Sequence, residues 1–106
     1  MRMYIAVLDE FPDHMTPTLV AHAVLGAHLS FSGNLIYDNW INNSFKKCVI
    51  RVSQKEFDKI SQLGSVYLAF EKHTLDGKVS AAVIRPYAED RDIPKVLKFA
   101  KLWKPK

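Results

Sequence analysis

Lys47-Cys-Val-Ile-Arg-Val-Ser-Gln-Lys-Glu56 changes its period within a short span, and that change decides the fold class. Lys47 to Val52 is β-branched and mostly apolar and is bounded by Ser53, so it reads as a strand. Ser53-Gln-Lys-Glu56 is a capping box: the Ser and Glu side chains each satisfy a free N–H at a helix start. The helix then runs to Leu63, where Gly64 is the expected stop. A strand feeding straight into a helix points to an α/β arrangement, to be tested on both flanks.

Toward the N-terminus, Tyr4-Ile-Ala-Val-Leu8 is a short apolar run ended by Asp9, Glu10 and Pro12, which is the pattern of a buried first strand. Thr16-Pro17 is a helix start, with the Thr hydroxyl as cap and Pro where no N–H is needed. That helix should reach about Phe31. At about 100° per residue, Val20, Ala23, Val24, Ala27 and Phe31 form one stripe, and Thr18, His22, Leu25 and Leu29 form another on the opposite side. The expectation is a helix buried on two faces, with Ala21, Ala23, Gly26 and Ala27 allowing close approach to a sheet. Ser32-Gly-Asn34 closes it, and Asn34 to Ser44 reads as a short helix or a structured loop with aromatic anchors at Tyr37 and Trp40.

Toward the C-terminus, Ser65 to Phe70 is a third strand, with Val66, Leu68 and Phe70 alternating against Tyr67 and Ala69. Asp76-Gly77 turns the chain into Lys78 to Arg85, a fourth strand ended by Pro86, so these two strands read as a hairpin. Asp92-Ile-Pro94 starts a last helix with Val96, Phe99, Ala100 and Trp103 on one face and Lys95, Lys98 and Lys101 on the other. The order βαβαββα implies an α/β fold, a three-layer α/β/α sandwich with a mixed four-stranded sheet. A ferredoxin-like fold is the main competitor.

With 106 residues, one core and one domain spanning 1–106 are expected, since a chain of this size buries only about two-thirds of its unfolded surface. Composition is that of a soluble globular protein, 48% hydrophobic and 25% charged, and no apolar run is long enough to cross a membrane. Met1 to Leu8 is too short for a signal peptide, so a cytoplasmic location is expected. The single Cys48 excludes an internal disulfide and any CxxC pair. His14, His22, His28 and His73 show no HxxxH or HxH spacing with carboxylates, so neither a metal nor a cofactor is expected. The net charge of +4 permits an anionic partner such as RNA without establishing one.

Trp40-Ile-Asn-Asn-Ser-Phe-Lys46-Lys47-Cys-Val-Ile-Arg-Val52 resembles a stretch of the type 2 peptidyl-tRNA hydrolase family, namely a Trp, a seven-residue step, a Lys, then an apolar strand ending in a basic residue and Val. Ser80-Ala-Ala-Val-Ile-Arg-Pro86, followed by Ile93, Lys95, Val96, Lys101, Leu102 and Trp103, is similar to the family's last strand, its Pro and its closing helix. Met15-Thr-Pro17 resembles the family's helix start, and Ala21-His-Ala-Val-Leu-Gly26 its small-residue helix. Together these stretches cover most of the chain. The departures concern chemistry. The family's glycine-lysine pair at the first long helix has no counterpart, because no Lys lies between Asp9 and Ser44, and Glu71-Lys-His-Thr74 stands where the family has Asp-Ala-Gly-Arg-Thr. Two registers fit the first helix. Matching Met15 puts Thr18 near the Lys position and His22 near a Gln position. Matching His22-Ala-Val-Leu-Gly26 to the family's His-Ala string puts Met15 at the Lys position. Neither supplies a Lys.

The resemblance implies cleavage of the ester in peptidyl-tRNA, which needs a base or oriented water, a donor for the developing oxyanion, and positive charge for phosphates. It places the site at the start of the first helix and the ends of the second and third strands. Thr18 and His22, at i and i+4, share a helix face there. Lys47, from its matched position, would supply the cation, and Glu71 would activate water with His22 as the alternative base. Lys46, Lys47, Lys95, Lys98 and Lys101 would contact RNA. For each residue a purely structural role competes: Trp40 and Trp103 as core anchors, Cys48 as a sheet residue, the lysines as a solvated face. Three functions follow: a metal-free hydrolase acting on tRNA esters; an inactive relative that binds tRNA, a nucleotide or a protein; or a homodimer joined through Leu25 and Leu29.

Overall fold

The computed structural model describes residues 1–71 and 77–106. Strand β1 is Arg2–Leu8, followed by helix α1 (Thr16–Phe31), a short α2 (Leu35–Asn39), β2 (Lys46–Val52), α3 (Gln54–Ser61), β3 (Val66–Glu71), β4 (Lys78–Ile84), a single-turn α4 (Lys95–Lys98) and β5 (Lys101–Leu102). The protein is α/β, with one mixed sheet in the order β3-β4-β1-β2-β5. β1 runs parallel to β2 and antiparallel to β4; β3 and β4 are antiparallel neighbours, as are β2 and β5.

β1 lies in the middle of the sheet, which is why its sequence is a continuous apolar run rather than an alternation. Met3, Ile5 and Val7 face α1 and pack with Ala23, Ala27, Phe31, Tyr37 and Trp40. Tyr4, Ala6 and Leu8 face the other way and pack with Phe57 and Ile60 of α3 and Leu97 of α4. The capping box of α3 is formed in both directions: Ser53 N–H donates to Glu56 Oε1 at 2.9 Å, and Glu56 N–H donates to Ser53 Oγ at 3.2 Å. At Gly26, α1 packs against the Tyr67 side chain of β3 with no room for a larger residue, since a Cβ there would lie 2.2 Å from the Tyr67 hydroxyl.

Three expectations are corrected. The sheet has five strands among the described residues, not four, because the closing segment is not one helix. α4 ends after one turn, and Lys101–Leu102 then pairs with Ile50 and Arg51 at the free edge of β2. Trp103 N–H continues the ladder to Val49 O at 2.9 Å. Backbone groups left open on an edge strand favour this over more helix. Phe99 is consequently exposed and Leu97 is the buried residue, so Lys95, Lys98 and Lys101 do not share a helix face. Second, Thr16 does not cap α1. A 3-10 turn, Asp13–Met15, leads into the helix, Met15 is the N-cap without a side-chain bond, and Thr16 is buried. Third, α1 buries only one face: Leu25 and Leu29 are 67% and 79% exposed, and Thr18 and His22 also reach solvent. The segment before β2, read as a short helix or a structured loop, is two short helical pieces. Asn34 Oδ1 accepts from Ile36 and Tyr37 N–H to cap α2, and a π-helical turn, Trp40–Ser44, ends on Phe45 at φ 61°.

β3 and β4 pair as the hairpin reading required. Asp76, expected to form its turn, lies outside the described residues. Among the described residues no helix is long and apolar enough to cross a membrane.

Candidate functional site

Glu71, the last residue of β3, stands on the α1 face of the sheet at its far end and is only 4% exposed. A buried carboxylate must find hydrogen-bond donors, and two are supplied. His22 Nδ1 lies 3.1 Å from Glu71 Oε2 and 3.3 Å from Oε1. Ser80 Oγ donates to Glu71 Oε1 at 3.3 Å. Ser80 is itself fully buried, and a β-bulge puts it there: Ala69 pairs with Ala81 but Phe70 pairs with Val79, so Ser80 is the extra residue. Such bulges re-aim side chains, and they are common beside reactive sites.

Beyond this trio, Glu71 forms one wall of a cleft of about 180 Å³ together with His14, Met15, Thr18 and Leu19 at the start of α1. That is room for several water molecules at about 30 Å³ each. The imidazole of His22 is 56% exposed, so the pair has an inner, buried carboxylate and an outer, solvent-facing ring. In the tautomer whose Nδ1–H donates to the Glu71 carboxylate, Nε2 is the ring nitrogen left as an acceptor. A fixed tautomer with an outward basic nitrogen is what a general base acting on water requires. The Thr18 hydroxyl on the cleft wall is an available donor, and the start of a helix favours developing negative charge.

Lys47 does not join this group. In the sheet register it pairs with Met3, at the level of Ser65, whereas Glu71 is six residues further along β3. At about 3.3 Å per residue that is roughly 20 Å along the strands. Lys47 Nζ instead donates to Phe45 O at 2.8 Å and sits 3.2 Å from the Phe45 ring centroid and 5.3 Å from that of Trp40. Loss of hydration holds its ammonium below the ordinary lysine value. It lies on the rim of an apolar hollow of about 430 Å³ between α1 and the Tyr37–Trp40 cluster. The spacing from Trp40 to Lys47 has a packing cause: the Trp40 indole N–H donates to Lys46 O at 2.8 Å, and its ring is buried against Tyr37.

Of the five lysines read as RNA contacts, Lys46 and Lys98 line one basic cavity, Lys47 points to the opposite face, and neither Lys95 nor Lys101 joins them. Trp103 is partly exposed, with the Arg51 guanidinium 5.1 Å from its ring. Burial pushes the Cys48 thiol up, which is the behaviour of a sheet residue and not of a nucleophile. Among the described residues no group of three or more His, Cys, Asp and Glu gathers as a metal site would. Sequence reasoning missed Ser80 and His14: the first depends on a bulge with no local signal, and the second on a 3-10 turn that swings it toward Glu71. No protein-family model matches the chain, and no curated protein is similar to it.

Proposed function

We propose that this chain is a metal-free ester hydrolase of the type 2 peptidyl-tRNA hydrolase kind, built as that family's three-layer sandwich and acting on the ester between an acyl group and the terminal ribose of tRNA. The observation that supports this reading most is the buried Glu71 carboxylate holding the exposed His22 imidazole at 3.1 Å beside the cleft at the start of α1. In this reading His22 Nε2 removes a proton from water. The resulting hydroxide attacks the ester carbonyl, Thr18 donates to the oxyanion, and the proton then passes to the leaving ribose hydroxyl. Glu71 is the positioning residue: it holds the tautomer and stabilises the imidazolium, much as the carboxylate does in a Ser-His-Asp triad. This reverses the roles expected from sequence, where Glu71 was the base and His22 the alternative. Geometry favours the change, because the Glu71 carboxylate is buried and engaged by His22 and Ser80, whereas the His22 ring is half-exposed and reachable by water.

Release of the acyl group from N-acetyl-aminoacyl-tRNA tests this reading. Wild-type protein should hydrolyse it above the buffer rate, and His22→Ala should lose about 10²- to 10⁴-fold. Glu71→Gln should lower kcat while the fold and KM persist. No release at high protein concentration would overturn the hydrolase reading.

One observation favours a second reading, in which the fold binds tRNA without cleaving it: Lys47 lies at the other end of the sheet, and among the described residues the cleft wall carries no lysine or arginine. Binding whose log K falls with log salt, without release, would decide for that reading. The homodimer implied by the resemblance would use Leu25 and Leu29, whose exposure on α1 supplies an apolar surface.

A further inference from the structure

At the sheet end opposite the His22–Glu71 cleft, and on the α3/α4 face, a cavity of about 340 Å³ opens between the starts of β1 and β2 and the segment around α4. Its wall carries four cationic side chains from four parts of the chain: Arg2 of β1, Lys46 of β2, Arg91 of the 3-10 turn Asp90–Asp92, and Lys98 at the end of α4. Arg2 and Lys46 are register partners in the parallel pair, so their side chains leave the sheet on the same face, one strand spacing (about 4.8 Å) apart. Because side chains alternate along a strand, Lys46 points here while Lys47 points toward α1.

Among the described residues none of these four charges forms an ion pair within 4.0 Å, whereas Arg51 pairs with Asp9 and Asp13, and Lys106 with Asp9. Asp90 is the one carboxylate on the wall and is not in ion-pair contact with any of the four. Converging like charges repel one another, and the potential they build in a concave site attracts anions. Two guanidinium groups and two ammonium groups match the several oxygens of a phosphate, which can accept from all of them at once. The Tyr4 side chain also lines the wall, on the same face as Arg2. The cavity volume falls in the range of small-molecule sites.

We propose that this cavity binds a phosphate group of a polyanionic ligand. The site is independent of the hydrolase reading, since it lies on the other face of the sheet and at its other end. The phosphate could come from a free polyphosphate compound or from an RNA strand, and the two are separated by experiment. Calorimetric titration at low salt uses inorganic tripolyphosphate as one probe and a short single-stranded RNA as the other, with backbone amide shifts mapping the contact.

Saturable binding at one site is expected, with shifts at Arg2, Lys46, Arg91 and Lys98. Arg91→Ala and Lys98→Ala should each weaken it about tenfold or more. Lys59→Ala, exposed on α3 outside the cavity, should leave it unchanged. All four cationic residues are exposed, so their truncation spares the core, which circular dichroism checks. Tripolyphosphate binding lost in the cavity variants assigns the site to a free phosphate compound. RNA binding lost in those variants without tripolyphosphate binding assigns it to strand phosphates. Absence of binding by both probes, or binding that ignores the cavity variants or falls equally in Lys59→Ala, would overturn the proposal.

Discussion

The two ends of the sheet are built on opposite electrostatic plans. Where β3 ends and α1 begins, a buried carboxylate is hydrogen-bonded by groups brought from two other elements, His22 from α1 and Ser80 from a bulge in β4. Where β1 and β2 begin, four cations gather with no carboxylate in ion-pair contact, and Lys47 rests on aromatic rings on the opposite face. The first is the arrangement proposed above as a reaction site, and the second the one proposed as a phosphate site. The difference teaches that Lys47, which the resemblance joined to Thr18, His22 and Glu71, is separated from them in this chain by about the length of the sheet.

The largest expected effect tests whether the basic end has an aromatic foundation. Trp40→Ala removes a buried ring between Tyr37 and Phe45 and leaves the Lys46 carbonyl without its indole donor. A loss of about 3–5 kcal/mol in chemical denaturation is expected. If Trp40 served only to stack bases, stability would stay unchanged and RNA binding alone would fall.

Gly26→Ala comes next and strikes the helix that carries His22. The new methyl would meet the Tyr67 hydroxyl at 2.2 Å and the ring carbons behind it at 2.4 and 2.7 Å, so Tyr67 must move or α1 must lift from β3. A cost of about 1–3 kcal/mol is expected from thermal or denaturant unfolding. Hydrolysis should fall with it if the distance from His22 to Glu71 widens. An unchanged protein would show that α1 is not clamped at this point.

The smallest effect concerns pH, at the same end of β1 as the cleft. Arg51 binds Asp9 at 2.9 Å and Asp13 at 3.1 Å, and Lys106 reaches both carboxylates. Hydrogen bonds from Lys106 and then Arg51 hold Asp9 below the usual carboxylate value, and hydrogen bonds from Arg51 and then Lys106 do the same for Asp13. Groups depressed in this way stabilise the fold above their unfolded value near 3.8, and that contribution disappears as pH falls through the folded values. Wild-type stability should therefore drop in that acid window, and Arg51→Ala should flatten the drop. Equal acid profiles for the two proteins would show that the cluster contributes nothing.

Much of the fold was legible because its signals are local. The apolar run of β1, the limits of α1 and the capping box of α3 each depend on residues within a few positions of one another. What was not legible depends on partners distant in sequence. Nothing in Lys101-Leu102-Trp103 announces that the edge of β2 needs covering, and an apolar stripe containing Leu25 and Leu29 has the same period whether a neighbour covers it or not. The site divides in the same way. Thr18 and His22 could be placed near each other from helical spacing, and Glu71 only through the resemblance, as the carboxylate standing where the family has its Asp. Ser80 required the bulge. Lys47 was misplaced because its spacing from Trp40 looked catalytic, whereas the indole bond to Lys46 O and the ring contacts account for it by packing.

The most direct test of this separation is the rate of acyl release from N-acetyl-aminoacyl-tRNA in two variants compared side by side at saturating substrate. Lys47→Ala should keep the wild-type kcat within about a factor of two, while His22→Ala should lose at least about a hundredfold. A collapse of kcat in Lys47→Ala with His22→Ala near normal would contradict the account, because the chemistry would then reside at the cationic end of the sheet.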